Sequence, residues 1–137
     1  MNRILIGLFG CLLSGCAAAP VAPVGTAFDG SYAGESVLIR GGGYLCGVPD
    51  SPLTLSVSGG QFDYPFAVNL VRTTPVPVKL AADGSFVTNM LYGTQNFLFI
   101  SRYENQWVTV QGRIAGQTLD ATVTDDRCTR RVTAQRV

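Results

Sequence analysis

The feature that most constrains this chain is a strict two-residue alternation interrupted by paired glycines. Leu53, Leu55 and Val57 alternate with Thr54, Ser56 and Ser58. Gly59-Gly60 follows, and then Phe62, Tyr64, Phe66, Val68 and Leu70 fall on every second position. Side chains one apart on a strand point to opposite faces, so each run carries one apolar face. Gly-Gly between two such runs is the signal of a two-residue hairpin turn. No twelve-residue window shows a helical apolar period, so the chain is predicted to be all-β.

The rest of the chain extends this pattern. Asp29-Gly30 leads into a strand near Ser31–Arg40, and GGGYLCGVPDSP reads as a loop. Pro65 lies on the face opposite Tyr64 and Phe66 and suggests an edge or a bulge. RTTPVPVKL reads as a loop entering a short strand at Val76–Leu80, and Asp83-Gly84 as a turn. SFVTNMLYG, QNFLFISRY and WVTVQGRIA follow as strands, with turns expected at Gly93-Thr94 and Glu104-Asn105. Gly116-Gln117 turns the chain into TLDATVT, and Asp125-Asp126 into CTRRVTAQRV. Eight or nine strands joined by tight turns make an antiparallel meander. Closing it into a small up-and-down β-barrel removes its exposed edges, and a β-sandwich is the alternative.

The N-terminus carries a different message. Asn2 and Arg3 form a short positive head, Ile4 to Leu13 is apolar, and Leu13-Ser14-Gly15-Cys16 follows. The uncharged stretch from Ile4 to Ala19 is sixteen residues with three glycines. A membrane-spanning helix needs about 20 predominantly apolar residues. The order instead fits an export signal. Leu, a small residue, Gly and then Cys resembles the lipobox of bacterial lipoproteins at all four positions. That resemblance implies cleavage before Cys16, a diacylglyceryl group on its sulfur and an acyl chain on its amino group. Two or three chains make release slow, since each buried methylene contributes only about 0.8 kcal/mol. Ala17, where aspartate would retain an enterobacterial lipoprotein at the inner membrane, favours the outer membrane. The expected organisation is a signal peptide at 1–15, a lipidated tether at 16–27 and one β domain at 28–137. The tether, AAAPVAPVGTA after Cys16, reaches at most about 35–40 Å.

On that reading Cys11 leaves with the signal and Cys16 carries lipid. Cys46 and Cys128 remain, and an oxidising envelope favours one disulfide between them. Removing residues 1–15 from the 137 leaves 122, enough for one domain. Arg3 is lost, so nine of the ten basic residues face nine acidic ones. A mature charge of zero argues against nucleic-acid binding. The chain has no histidine, which removes the commonest general base and zinc ligand.

Candidate sites are sparse. Asp125 and Asp126 are adjacent and suit a turn better than a carboxylate pair. Glu35 falls in the first strand, where it is expected to be exposed. Asp50, Asp63, Asp83 and Asp120 lack calcium-loop spacing. Gly41-Gly42-Gly43 lacks the lysine of a phosphate loop. Arg127, Arg130, Arg131 and Arg136 crowd the C-terminus. Arg130 and Arg136 share one strand face, read as exposed and partly paired with Asp125 or Asp126, or else open to lipid headgroups, lipopolysaccharide phosphates or an acidic partner. Phe62, Tyr64 and Phe66 are expected in the core, and Trp107 at a barrel mouth or an interface. These residues contain no catalytic, cofactor or metal constellation. The expectation is a membrane-anchored, non-catalytic module that binds an envelope or periplasmic protein by a loop or exposed strand edge. Its alternative is a carrier of a small apolar ligand.

Overall fold

A computed structural model describes residues 26–42, 46, 50–69, 72–95 and 103–137. The signal peptide, Cys16 and most of the tether lie outside the described residues, as do Gly43, Leu70 and residues 96–102 of the QNFLFISRY strand. Thr26–Phe28 form a short 3₁₀ turn. Eight strands follow: β1 Gly30–Arg40, β2 Asp50–Val57, β3 Gln61–Asn69, β4 Arg72–Lys79, β5 Ser85–Gln95, β6 Tyr103–Ala115, β7 Thr118–Thr124 and β8 Thr129–Arg136.

All pairings are antiparallel and join sequence neighbours, except that β8 returns to pair with β1 from Tyr32↔Arg136 to Arg40↔Thr129. The hydrogen-bonded order is β2-β1-β8-β7-β6-β5 in one curled sheet and β3-β4 in a separate ribbon. The all-β meander expected from the alternation is therefore present. Its first and last strands close, and its ladder is interrupted on both sides of the β3–β4 ribbon.

Proline accounts for the interruption. Ser58 and Gln61 exchange both backbone hydrogen bonds across the Gly59-Gly60 turn, so Gln61, Asp63 and Pro65 turn their backbone groups toward β2. The even-numbered residues of β3 then face β4, as the Leu80 N–H donating to Gly60 O confirms. Thr73, Pro75, Pro77 and Lys79 consequently face β5. Proline has no N–H to donate to a ladder. Pro65 removes a donor on the β2 side, and Pro75 and Pro77 remove two on the β5 side.

Two expectations need correction. β4 runs from Arg72 and not from Val76, because an edge ribbon tolerates prolines whose missing N–H faces outward. The turns expected at Gly93-Thr94 and Glu104-Asn105 do not form. Gly93 pairs with Asn105 and Thr94 with Glu104 inside a β5–β6 ladder of eleven consecutive residue pairs.

Other turns follow the sequence closely. Gly59 and Gly60 have φ of 61° and 70°, a conformation open to glycine without steric cost. The Asp29 carboxylate accepts from the N–H groups of both glycines, at 2.8 and 2.9 Å, tying the start of β1 to the β2–β3 turn.

Tyr32, Leu53, Leu55, Val57, Phe62, Tyr64, Phe66, Val68, Val76, Val78, Phe86, Val108, Val110, Ile114, Leu119, Val123 and Val132 fill the interior. The β3 face reaches across to β5, where Phe62 meets Phe86 edge-on at 5.4 Å and Phe66 meets Tyr92 at 4.9 Å. These contacts seat the ribbon on the sheet where backbone bonds do not.

Cys46 and Cys128 form a disulfide across a sequence separation of 82 residues. Closing a loop of that length stabilises the fold by about 4–5 kcal/mol in the chain-entropy account. The Cys46→Ala/Cys128→Ala double variant should therefore unfold at a clearly lower urea concentration. The loss is expected at about 3–5 kcal/mol, and added reductant should shift the parent chain by a similar amount but not the variant.

Candidate functional site

The antiparallel order puts the strand ends Arg40, Asp50, Asn69, Arg72, Gln95, Tyr103, Thr124 and Thr129 at one end of the body. The Gly59-Gly60, Asp83-Gly84 and Gly116-Gln117 turns lie at the other. The interior changes character along this axis. Tyr32, Phe62, Phe86, Ile114 and Leu119 occupy the tight-turn end, whereas Ser36, Gln106, Asp125 and Arg130 are buried toward the other.

These polar groups are braced to one another. The Arg130 guanidinium donates to Cys46 O at 2.8 Å and Ser36 O at 3.3 Å. The hydroxyls of Ser36 and Tyr64 are 3.3 Å apart. Asp125 accepts from the N–H groups of Arg127 and Cys128 at 2.9 and 2.6 Å, closing its own turn. Its other oxygen accepts from Tyr92 Oη at 2.8 Å, with Gln106 Oε1 3.0 Å away from the same hydroxyl. Burial, then the hydrogen bond to Asp125 and the nearby carboxylates, push the Tyr92 phenol far above its ordinary value. Burial also raises that of Tyr64, against the opposing influence of Ser36 and Arg130.

The arginine expectation changes accordingly. Arg130 shares the parity of Val132 and Ala134 and so points inward, only 7% exposed, and is no part of a solvated face. Arg136 lies at the exposed end of β8 and donates to Asp29 O. Arg131 points outward and pairs with Asp120 at 2.9 Å, not with Asp125 or Asp126. Asp125 is a turn residue as expected, but a buried one.

Glu35 is exposed on β1, and Asp50 and Asp63 are exposed on β2 and β3. Asp83 accepts from Ser85 N and Oγ, which holds its carboxyl below the usual range, with Arg113 adding a smaller effect. Among the described residues no three of His, Cys, Asp or Glu are grouped to hold a metal ion.

The outer surface carries the more unusual arrangement. Gly84 O accepts from Ile114 N, so the even-numbered residues of β5 face β6. Val87, Asn89, Leu91 and Gly93 then turn their backbone groups toward β4, whose edge offers prolines. The last backbone bond on that side runs from Ala81 N to Ser85 O. Beyond it, among the described residues, no ladder covers β5. A groove of about 670 Å³ opens near the tight-turn end, running from Ser56, Gln61 and Asp63 across Pro77 and Lys79 to Val87 and Thr88, and Leu91 is not part of its lining.

Natural strand edges are usually blunted by charge or proline. β4 uses proline. β5 has neither, since Ser85–Gln95 contains no charged residue and no proline. Its outer face exposes Val87 at 65% and Leu91 at 47%, and Trp107, directly opposite Leu91 on β6, is 61% exposed. Asn89 and Thr109 bridge the space between them through a 2.7 Å hydrogen bond. Trp107 thus sits on an outer sheet face in mid-strand.

Two outcomes check the polar interior. Arg130→Met should cost about 1.5–3 kcal/mol in urea unfolding, since two buried carbonyls lose a charged donor. Tyr64 and Tyr92 ionise less readily folded than unfolded, so their contribution is complete below pH about 10 and is lost as pH rises beyond it. Stability should fall as pH rises from about 10, the ordinary tyrosine value, toward the higher folded-state values, and less steeply in Tyr92→Phe.

Comparison of the chain with protein-family models, with curated proteins and with solved structures finds no match.

Proposed function

We propose that this chain is a bacterial envelope lipoprotein, anchored through lipid on Cys16, whose non-catalytic β domain binds an envelope or periplasmic protein along the open edge of β5. The Leu13-Ser14-Gly15-Cys16 run supports the anchor. The observation that carries the binding reading is the uncovered, uncharged edge of β5 beside exposed Val87, Leu91 and Trp107. An added strand takes affinity from main-chain hydrogen bonds and specificity from alternate side chains. Such a contact is weak alone. Tethering to a bilayer raises the effective concentration toward millimolar, which makes weak affinity sufficient. Ala17 favours the outer membrane as the place of anchoring. The alternative, a carrier of a small apolar ligand, needs an open interior, and the ring contacts that bring β3 and β5 together favour the binding edge over it.

Mass spectrometry of the native chain should show residues 1–15 missing and hydrocarbon mass on residue 16. An N-terminus still beginning at Met1 would contradict the anchor. Pull-down from native membranes with the full lipidated chain should recover a defined envelope protein. Leu91→Glu should lose that capture, by roughly thirtyfold in affinity if the contact is central. Ala82→Glu, on the exposed β4–β5 turn, should keep it. Capture that survives Leu91→Glu unchanged would contradict the binding edge.

A further inference from the structure

We infer that the occupant of the β5 edge is a second copy of this chain, paired antiparallel about a two-fold axis at Leu91. The inference rests on the reading of β5 as a binding edge and names what binds there.

A two-fold interface must be complementary to itself. An antiparallel β5–β5 pair centred on Leu91 meets that requirement. Leu91 faces Leu91 of the second copy, and Asn89 faces Gly93. Because odd-numbered residues of β5 direct their backbone groups outward, these are the positions whose N–H and C=O groups would exchange hydrogen bonds. Trp107 lies directly beside Leu91 on β6. The pairing therefore builds one apolar row across four strands: Trp107, Leu91, then Leu91 and Trp107 of the second copy. Cross-strand apolar and aromatic pairs of this kind favour the pairing of the strands that carry them. No charge interrupts the row, because β5 carries none.

The position of the axis follows from what already occupies the edge. Ser85 O is taken by Ala81 N. Centring on Leu91 brings Gln95 of the second copy level with Val87 and keeps the incoming strand clear of Ser85. Centring on Asn89 would run it into the β4–β5 turn. The second copy also answers the donor problem on β4. Pro75 and Pro77 offer no N–H, but an identical β5 brings its own complete set.

Size sets the strength. Pairing over about nine residues spans roughly 30 Å of strand. Such an edge buries on the order of 500 Å² per copy, short of the ~800 Å² per partner of a standard stable interface. The dimer is accordingly weak and concentration-dependent, and confinement to a membrane favours it.

Cysteine cross-linking of the full chain in its native membrane tests this. Under mild oxidation Leu91→Cys should yield a covalent dimer, and the parent chain and Ala82→Cys should not. Asn89→Cys and Gly93→Cys chains should link to each other when co-expressed and form little dimer alone, which reads the register independently of Leu91. No dimer from Leu91→Cys together with no Asn89–Gly93 link would overturn the self-pairing. So would equal dimer from Ala82→Cys. A cross-link from Leu91→Cys to a protein of different mass, without dimer, would also overturn it while leaving the binding edge in place.

Discussion

N–H groups that proline lacks shape the surface of this molecule. Pro65 faces β2, and Pro75 and Pro77 face β5, so the β3–β4 ribbon lacks donors on both sides, and beyond the turn bonds of Ser58 with Gln61 and Ala81 with Ser85 no ladder among the described residues joins it to the sheet. The meander has every strand in the order a closed barrel needs, and β1 pairs with β8 to complete the far side. The ribbon is held by side chains instead, through Phe62 on Phe86 and Phe66 on Tyr92. The consequence lies on β5. Its inner face is committed to the core, its β6 side is fully laddered, and its remaining edge has no backbone partner beyond Ser85 among the described residues. An edge of that kind without charge or proline invites another strand.

The interior reinforces this division of labour. Its apolar end, around Phe62, Phe86 and Ile114, is closed by short glycine turns. Its other end is bound by Arg130, Asp125, Tyr92 and the Cys46–Cys128 disulfide, which fasten the β1–β2 and β7–β8 connections to the body. Buried polar networks are costly unless every member is satisfied, and here each described buried side-chain polar atom has a partner. The polar groups serve as internal bracing. Exposed apolar side chains, Val87, Leu91 and Trp107, lie instead on the outer face of β5 and β6.

Much of the fold was legible from residue spacing. Leu53, Leu55 and Val57, and Phe62, Tyr64, Phe66 and Val68, face the core as their alternation required. Gly59-Gly60 turns where expected, and Cys46 pairs with Cys128. Gly93-Thr94 misled because local turn chemistry was outweighed by an uninterrupted β5–β6 ladder, which extends through Gly93 and Thr94. Arg130 misled because arginine reads as surface. The usable signal was its parity with Val132 and Ala134. The open edge left a signal too: Pro75 and Pro77 are two apart, so both face the same neighbour, and the strand beyond them carries no charge. What spacing alone could not reveal is that Leu91 and Trp107 stand opposite each other, since that needs the register.

Amide hydrogen exchange along β5, at dilutions where the chain is monomeric, tests the account most directly. Phe86, Thr88 and Met90 should be strongly protected through their bonds to β6, while Val87, Asn89 and Leu91 exchange rapidly toward β4. Uniform protection across these six residues would show that β4 covers β5 after all, and the open edge would be lost with it.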